Sequence, residues 1–203
     1  MEEEKGIIWL KQTDSTNDEA RRQIPGLDNL SVIAAWEQTA GRGQGDHTWT
    51  SEPGQNLTFS LVLKFPPCAA VAASEILLIT ELVTRALREY LLSKGVRARI
   101  KWPNDIYVGE RKICGILIEN ILDGKQVRES IIGIGLNLNQ DRFPQDLPNP
   151  VSLRQLTGEE YDTRVELSLL RSYLQQSASL LDTQEGRMEL DRYFNAFVFR
   201  KEA

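Results

Sequence analysis

The chain has 203 residues, 41% of them hydrophobic and 26% charged, enough for one compact domain with a substantial apolar core. Lysine and arginine number 24 against 29 aspartates and glutamates, a net charge of −5, so there is no basic excess to coat DNA or RNA. Two cysteines exclude a disulfide-dense scaffold, one histidine leaves no zinc site or Ser-His-Asp triad, and no apolar run is long enough to cross a bilayer. With the acidic start Met1–Lys5, these features predict a soluble cytoplasmic protein without membrane or DNA partners.

In chain order, Ile7–Lys11 reads as a strand. Asp14–Asp18 reads as a cap-rich turn opening a helix through Arg22, its side chains placed to accept from the first helical N–H groups. Ser31–Gln38 is a second strand after the Pro25-Gly26 break. Residues 40–55, with glycines at 41, 43, 45 and 54 and no apolar period, read as a long loop. Thr58–Lys64 alternates as a strand, and Ser74–Leu92 carries a helical stripe of Ile76, Ile79, Val83, Leu87 and Tyr90, with Gly95 as its stop. Strands follow at Arg97–Trp102, Ile106–Val108, Lys112–Asn120 and Ser130–Asn139, with hairpin turns at Gly109-Glu110 and Asp123-Gly124. Beyond Pro144, Pro148 and Pro150 the pattern turns helical, at Val165–Leu181 and Arg187–Val198. The sum is an α+β fold: one mixed, largely antiparallel sheet with helices covering one side. It is a single domain over 1–203, with a core at about 7–140 and a helical extension at about 151–198.

Three segments carry chemistry. The strand to Asn139 sets Ile132, Ile134, Leu136 and Leu138 on one face and Gly133, Gly135, Asn137 and Asn139 on the other. Two glycines beside two amides let a ligand approach the backbone, although a bulge with small residues gives the same pattern. In Gly41-Arg42-Gly43-Gln44-Gly45, freed N–H groups and one guanidinium suit a carboxylate or phosphate. A flexible surface loop has the same composition. In Lys101-Trp102-Pro103-Asn104-Asp105 the proline fixes the turn and favours an extended Trp102. Lys101 can then neutralise a phosphate oxygen, and Asp105 can orient an amine or hold Mg²⁺ through water; a capped turn with a salt bridge is the plainer alternative. His47, Cys68 and Cys114 read as solvated or structural.

Taken in order, Asp14–Asn17, Glu37–Gly43 with Trp49-Thr50-Ser51, Lys101–Asp105, Lys112–Glu119 and Gly133–Asn139 resemble the catalytic domain of biotin–protein ligases. The resemblance implies a fold like class II aminoacyl-tRNA synthetase catalytic domains and a two-step reaction. Biotin and ATP, with Mg²⁺, give biotinyl-5′-AMP and pyrophosphate; a lysine of a biotin carboxyl carrier protein then takes the biotin. It further implies that Ser15, Thr16 and Gln38 bind the ureido head, and that Gly41, Gly115, Gly133 and Gly135 line the biotin slot. Arg42 and Lys101 hold the carboxylate and α-phosphate, with Lys101 the first choice for catalysis. Trp49 packs over the closed loop, Asn137 and Asn139 lie on the adenine side, and Asn104 and Asp105 shape the phosphate side.

Three departures accompany the resemblance. Gln44 stands where the family loop often carries a second arginine that retains the adenylate. Nothing before Ile7 reads as a helix-turn-helix domain, and the sequence ends where relatives continue into a small β-barrel that contributes to ATP and carrier-protein contacts. A homodimer is compatible with the sequence. The rival readings are a lipoate or octanoate enzyme of the same fold and a biotin-binding protein that does not transfer.

Overall fold

Apolar alternation between Leu57 and Leu136 resolves into the centre of a mixed sheet in the computed structural model, which describes residues 6–66 and 70–199. The strands are β1 (Ile7–Leu10), β2 (Ser31–Ala35), β3 (Leu57–Lys64), β4 (Val71–Ala72), β5 (Arg99–Lys101), β6 (Asp105–Val108), β7 (Arg111–Asp123), β8 (Gln126–Leu136) and β9 (Val198–Phe199). Among the described residues their order is β1-β2-β3-β8-β7-β6-β5-β9, with β4 pairing to β8 off this path. Among the described strands only β1–β2 and β5–β9 pair in parallel. The expected hairpins form, and Gly109 (φ +59°) and Gly124 (φ +58°) supply the left-handed backbone that tight turns require.

The helices are α1 (Thr16–Gln23), α2 (Leu77–Ser93), α3 (Leu153–Thr157), α4 (Thr163–Ser179) and α5 (Gln184–Phe197). The α2 stripe of Ile79, Leu82, Val83, Ala86, Leu87, Tyr90 and Leu91 is fully buried against Val32, Phe59, Leu61, Ile132 and Ile134 of the sheet. Burying a large side chain of this kind contributes roughly 1.5–3 kcal/mol, so this layer dominates stability. Helices α4 and α5 cover α2 from outside. Tyr90 Oη donates to Glu166 Oε2 of α4 at 2.8 Å, and Lys94 Nζ pairs with the same carboxylate at 2.7 Å.

Four expectations change. Helices cover both faces rather than one: α1 lies on the second face, where Ala20 packs with Ile33, Val62 and Ile131. Ser15 sits at the N-cap of α1 in extended conformation, yet no side chain there caps the helix; the Thr16 N–H instead donates to Gln38 Oε1 at 2.8 Å. Three elements were not expected from the sequence, β4, α3 and β9, and α2 begins only at Leu77 after a 3-10 turn at Ala73–Glu75. Cys68 lies outside the described residues, whereas Cys114 is fully buried and burial pushes its thiol pKa well up, as an inert core residue requires. No helix among the described residues is long and apolar enough to cross a membrane.

Candidate active site

Beside α1, the second face of the sheet is left open by its small residues. Directly paired residues in neighbouring strands point to the same side, so ladder register places side chains in rows. One row runs Thr58–Gly135–Gly115–Asp105–Lys101 across β3, β8, β7, β6 and β5. The adjoining row is Ser60–Gly133–Leu117. The glycines leave a trough between these rows, and with the loop 42–50 and the segment 143–150 it forms a cleft of about 450 Å³. Ser15, Thr16, Gln38, Arg42, Trp49, Lys101, Asn104, Asp105, Gly115, Gly133, Gly135 and Asn137 all line it.

The Ser60 row ends in neutral polar groups. Ser60 Oγ lies 2.8 Å from Thr16 Oγ1 and 2.6 Å from Asn17 Oδ1, and all three residues are buried. Asn17 Nδ2 donates to Glu119 Oε2 at 2.8 Å, so α1 is pinned to β3 and β7 through this one side chain. Hydroxyls and amides held this way suit a neutral group rich in N–H and C=O.

The Gly115 row ends in charge. Asp105 Oδ1 pairs with Lys112 Nζ at 2.6 Å, and its other oxygen lies 3.9 Å from Lys101 Nζ. Lys101 Nζ also donates to Tyr107 Oη at 3.5 Å. One carboxylate therefore positions two ammonium groups, leaving surplus positive charge facing the cleft. Arg42 is held elsewhere: it meets Asp18 at 3.0 Å and Glu119 at 2.6 Å. Burial pushes the Glu119 carboxyl up, but hydrogen bonds from Asn17 and Arg42 outweigh it and hold the group below the ordinary range.

The Trp49 indole rests on the trough floor, in contact with the positions a Cβ would take at Gly135 and Gly115. Its Nε1 is buried without a hydrogen-bond partner among the described residues. Gly41 does not reach the main cleft. It closes the loop, accepting from the Trp49 N–H at 3.0 Å, and the Trp49 carbonyl and Gln38 Nε2 occupy the space a side chain would need. Asn139 is also away from the cleft: its amide exchanges two bonds with the Tyr161 backbone, at 2.7 and 3.0 Å. Regular alternation stops with β8 at Leu136, so the shared face inferred for Asn137 and Asn139 is lost. Asn104 reaches the cleft but commits its Nδ2 to Ile116 O at 2.9 Å, and Asn137 commits its own to Val151 O at 3.1 Å. His47 is exposed at the cleft mouth.

Residues 9–137 match the profile of the biotin/lipoate A/B protein ligase family. The chain belongs to that family. A biotin–[acetyl-CoA-carboxylase] ligase of Paracoccus denitrificans is 34% identical over 178 residues, covering 86% of this chain and 73% of that protein. The bifunctional ligase/repressor BirA of Bacillus subtilis is 36% identical over 136 residues, 65% of this chain but only 41% of that longer protein. The biotin protein ligase of Aquifex aeolicus, solved with biotin and ATP, superposes with a TM-score of 0.81 at 25% identity, covering 96% of this chain and 79% of that one. The Leishmania major ligase in complex with biotinyl-5-AMP gives 0.74 at 25% identity, covering 97% and 82%.

For this biotin/lipoate ligase family member, the structure adds cleft residues that sequence reading left without a role: Asn17, Thr58, Tyr107, Lys112 and the wall of Phe143, Leu147, Pro148 and Pro150, with the buried Ser60 bracing Thr16 and Asn17 from beneath. Thr58 and Ser60 did carry a signal, as small polar residues alternating with Phe59 and Leu61.

Proposed function

We propose that this chain is an ATP-dependent biotin–protein ligase catalytic unit, acting in the cytoplasm on a lysine of a biotin carboxyl carrier protein. The observation that carries the reading is the polarity gradient along the glycine trough, from the neutral Ser60–Thr16–Asn17 group to the Lys101–Asp105–Lys112 cluster. Biotin is a molecule of that polarity, with a ureido ring at one end and a carboxylate at the other.

In this reading Ser15, Thr16, Asn17 and Gln38 surround the ureido group with Ser60 bracing them, Gly133 makes room for the Asn17 amide, and Gly135 and Gly115 let the ring and chain lie close to the backbone. The carboxylate reaches Lys101 and Lys112. Adenylation needs no general base, because a carboxylate is already a nucleophile. It needs two anions brought together in line, which is alignment and charge neutralisation. The biotin carboxylate oxygen attacks the α-phosphorus, the Pα–O–Pβ bond breaks, and pyrophosphate leaves with the electron pair. Lys101 and Lys112 offset the charge on the reacting oxygens, and Asp105 keeps both ammonium groups in place. Phe143, Leu147, Pro148 and Pro150 offer an apolar wall for adenine beside Asn137. Arg42 joins after leaving Asp18 and Glu119. In the second step the carrier lysine amine attacks the acyl carbonyl and AMP departs.

The donor set does not build a resident Mg²⁺ cage. Asp105 is the one carboxylate lining the main cleft among the described residues, and it is committed to Lys112. Mg²⁺ fits here as the counter-ion that ATP brings on its own phosphate oxygens. The direct test is ATP–pyrophosphate exchange that depends on added biotin, followed by addition of a carrier domain. Exchange without dependence on biotin, or none at all, would contradict the reading.

A further inference from the structure

We propose that Arg99, laid on the ring of Phe199, forms an outer anion subsite that takes the β- and γ-phosphates of ATP and stabilises the departing pyrophosphate. The inference rests on the adenylating function above and extends it to a residue outside the cleft wall. Arg99 and Lys101 are two residues apart on β5, so both project to the cleft face, roughly 6.5 Å apart along the strand. The ladder partner of Arg99 is Tyr107, and Lys101 Nζ touches the Tyr107 hydroxyl. The Phe199 ring stands edge-on to Tyr107 at 6.1 Å, and the Arg99 guanidinium lies 4.5 Å over it. Phe199 is itself the ladder partner of Lys101, and its carbonyl accepts from the Trp102 N–H at 3.0 Å. Arg99, Tyr107, Phe199 and Lys101 thus form one contiguous patch that carries the positive edge of the cleft outward.

Charge placement sets what the patch binds. Arg99 is exposed and makes no ion pair with a carboxylate among the described residues, unlike Arg42, which is held by two. An aromatic platform orients the guanidinium without neutralising it, leaving its donors for an oxyanion fork. With the carboxylate and α-phosphate at Lys101 and Lys112, and the apolar wall for adenine on the β8 side, the rest of the triphosphate runs along β5 towards Arg99. When the Pα–O–Pβ bond breaks, the electron pair moves to the pyrophosphate oxygen, and negative charge grows where Arg99 and Lys101 converge.

The experiment exploits a chemical difference between ligands: ATP and pyrophosphate carry the outer phosphates, whereas biotin and biotinyl-5′-AMP do not. In Arg99→Gln, KM for ATP and for pyrophosphate in biotin-dependent exchange should rise about tenfold, the size of a lost charge-assisted phosphate contact. Calorimetric affinities for biotin and biotinyl-5′-AMP should stay within about twofold of wild type. Arg99→Lys should recover part of the loss, and Phe199→Leu, which removes the platform and keeps the charge, should fall between. Unchanged KM for ATP and pyrophosphate would overturn the proposal, as would an equal loss of biotinyl-5′-AMP affinity. Slowed transfer to a carrier with normal exchange would also overturn it, assigning Arg99 to the acceptor. Absence of exchange in wild type would instead remove the ligase reading itself.

Discussion

Gly115 and Gly135 are direct partners in the β7–β8 ladder, and the Trp49 indole lies against both. The trough exists because neither position carries a side chain, and the loop's own tryptophan occupies part of it. In the proposed ligase, biotin and the indole share one volume. A methyl at Gly135 would intrude deep into that volume, whereas at Gly115 the nearest indole atom stands at 3.0 Å and needs only a small shift. Gly135→Ala should weaken biotin binding by about tenfold or more, and Gly115→Ala by less, as overpacking a filled site does. Calorimetry checks this; biotin affinity unchanged in Gly135→Ala would show that biotin lies elsewhere.

Arg42 is stored on Asp18 and Glu119 before it can serve a phosphate. The Glu119 carboxyl is held below the ordinary range, so its share of the latch is present at neutral pH and is lost only as the solution is acidified through that lowered pKa. Glu119→Gln should loosen the loop, and protease nicking within residues 41–55 should speed up no more than about fivefold, since half-exposed ion pairs are weak. Saturating biotin and ATP should slow nicking in both proteins. Equal nicking of the free mutant and wild type would remove the latch.

Glu81 of α2 is 3% exposed, and its Oε2 has no hydrogen-bond partner among the described residues. Burial, with Asp191 adding repulsion, pushes its pKa up to about 7. The unfolded chain ionises this group near its ordinary value, while the folded chain holds the proton. The stability it permits is therefore complete below about pH 4.5 and falls as pH rises towards 7. Glu81→Gln should stabilise the protein by about 1–3 kcal/mol at pH 8 and by little at pH 4.5. Denaturant unfolding at the two pH values measures it; a pH-independent difference would contradict the assignment.

Most of the frame was legible because each strand has one face in a single core. Alternation at Phe59, Leu61 and Leu63 and the helical stripe from Ile79 to Tyr90 are local signals that the packing reinforces. What escaped depends on distant partners. β9 is two residues long and forms only because β5 offers an edge, and α1 covers the second face through Ala20 together with side chains from three strands. The short helix α3 did announce itself, since Ser152 and Gln155 make a reciprocal capping box.

The site divides the same way. Residues in compact motifs, such as Lys101, Asp105, Gly133 and Gly135, stand out in the sequence and line the cleft. Ser60 looked like an ordinary solvent-facing alternate, and Lys112 like the start of a hairpin strand, until the sheet set them beside Asn17 and Asp105. Asn139 was misplaced because strand periodicity was extended past the end of β8.

Gln44 lines the cleft mouth, exposed, where a second arginine would add a cation over the reactive adenylate. Gln44→Arg should slow release of biotinyl-5′-AMP from the enzyme by about tenfold, the size of one charge-assisted contact. Release of labelled adenylate into filtrate measures it, and identical leakage from both proteins would show that retention depends on other groups.

In the proposed reaction Lys101, positioned by Asp105 and Tyr107, neutralises charge during adenylation. The decisive measurement is biotin-dependent ATP–pyrophosphate exchange in wild type and Lys101→Ala, with biotin affinity determined on the same samples. Exchange should fall at least about a hundredfold, in line with removal of one preorganised transition-state contact, while the variant still folds and binds biotin. Exchange at the wild-type rate in Lys101→Ala would contradict the assignment.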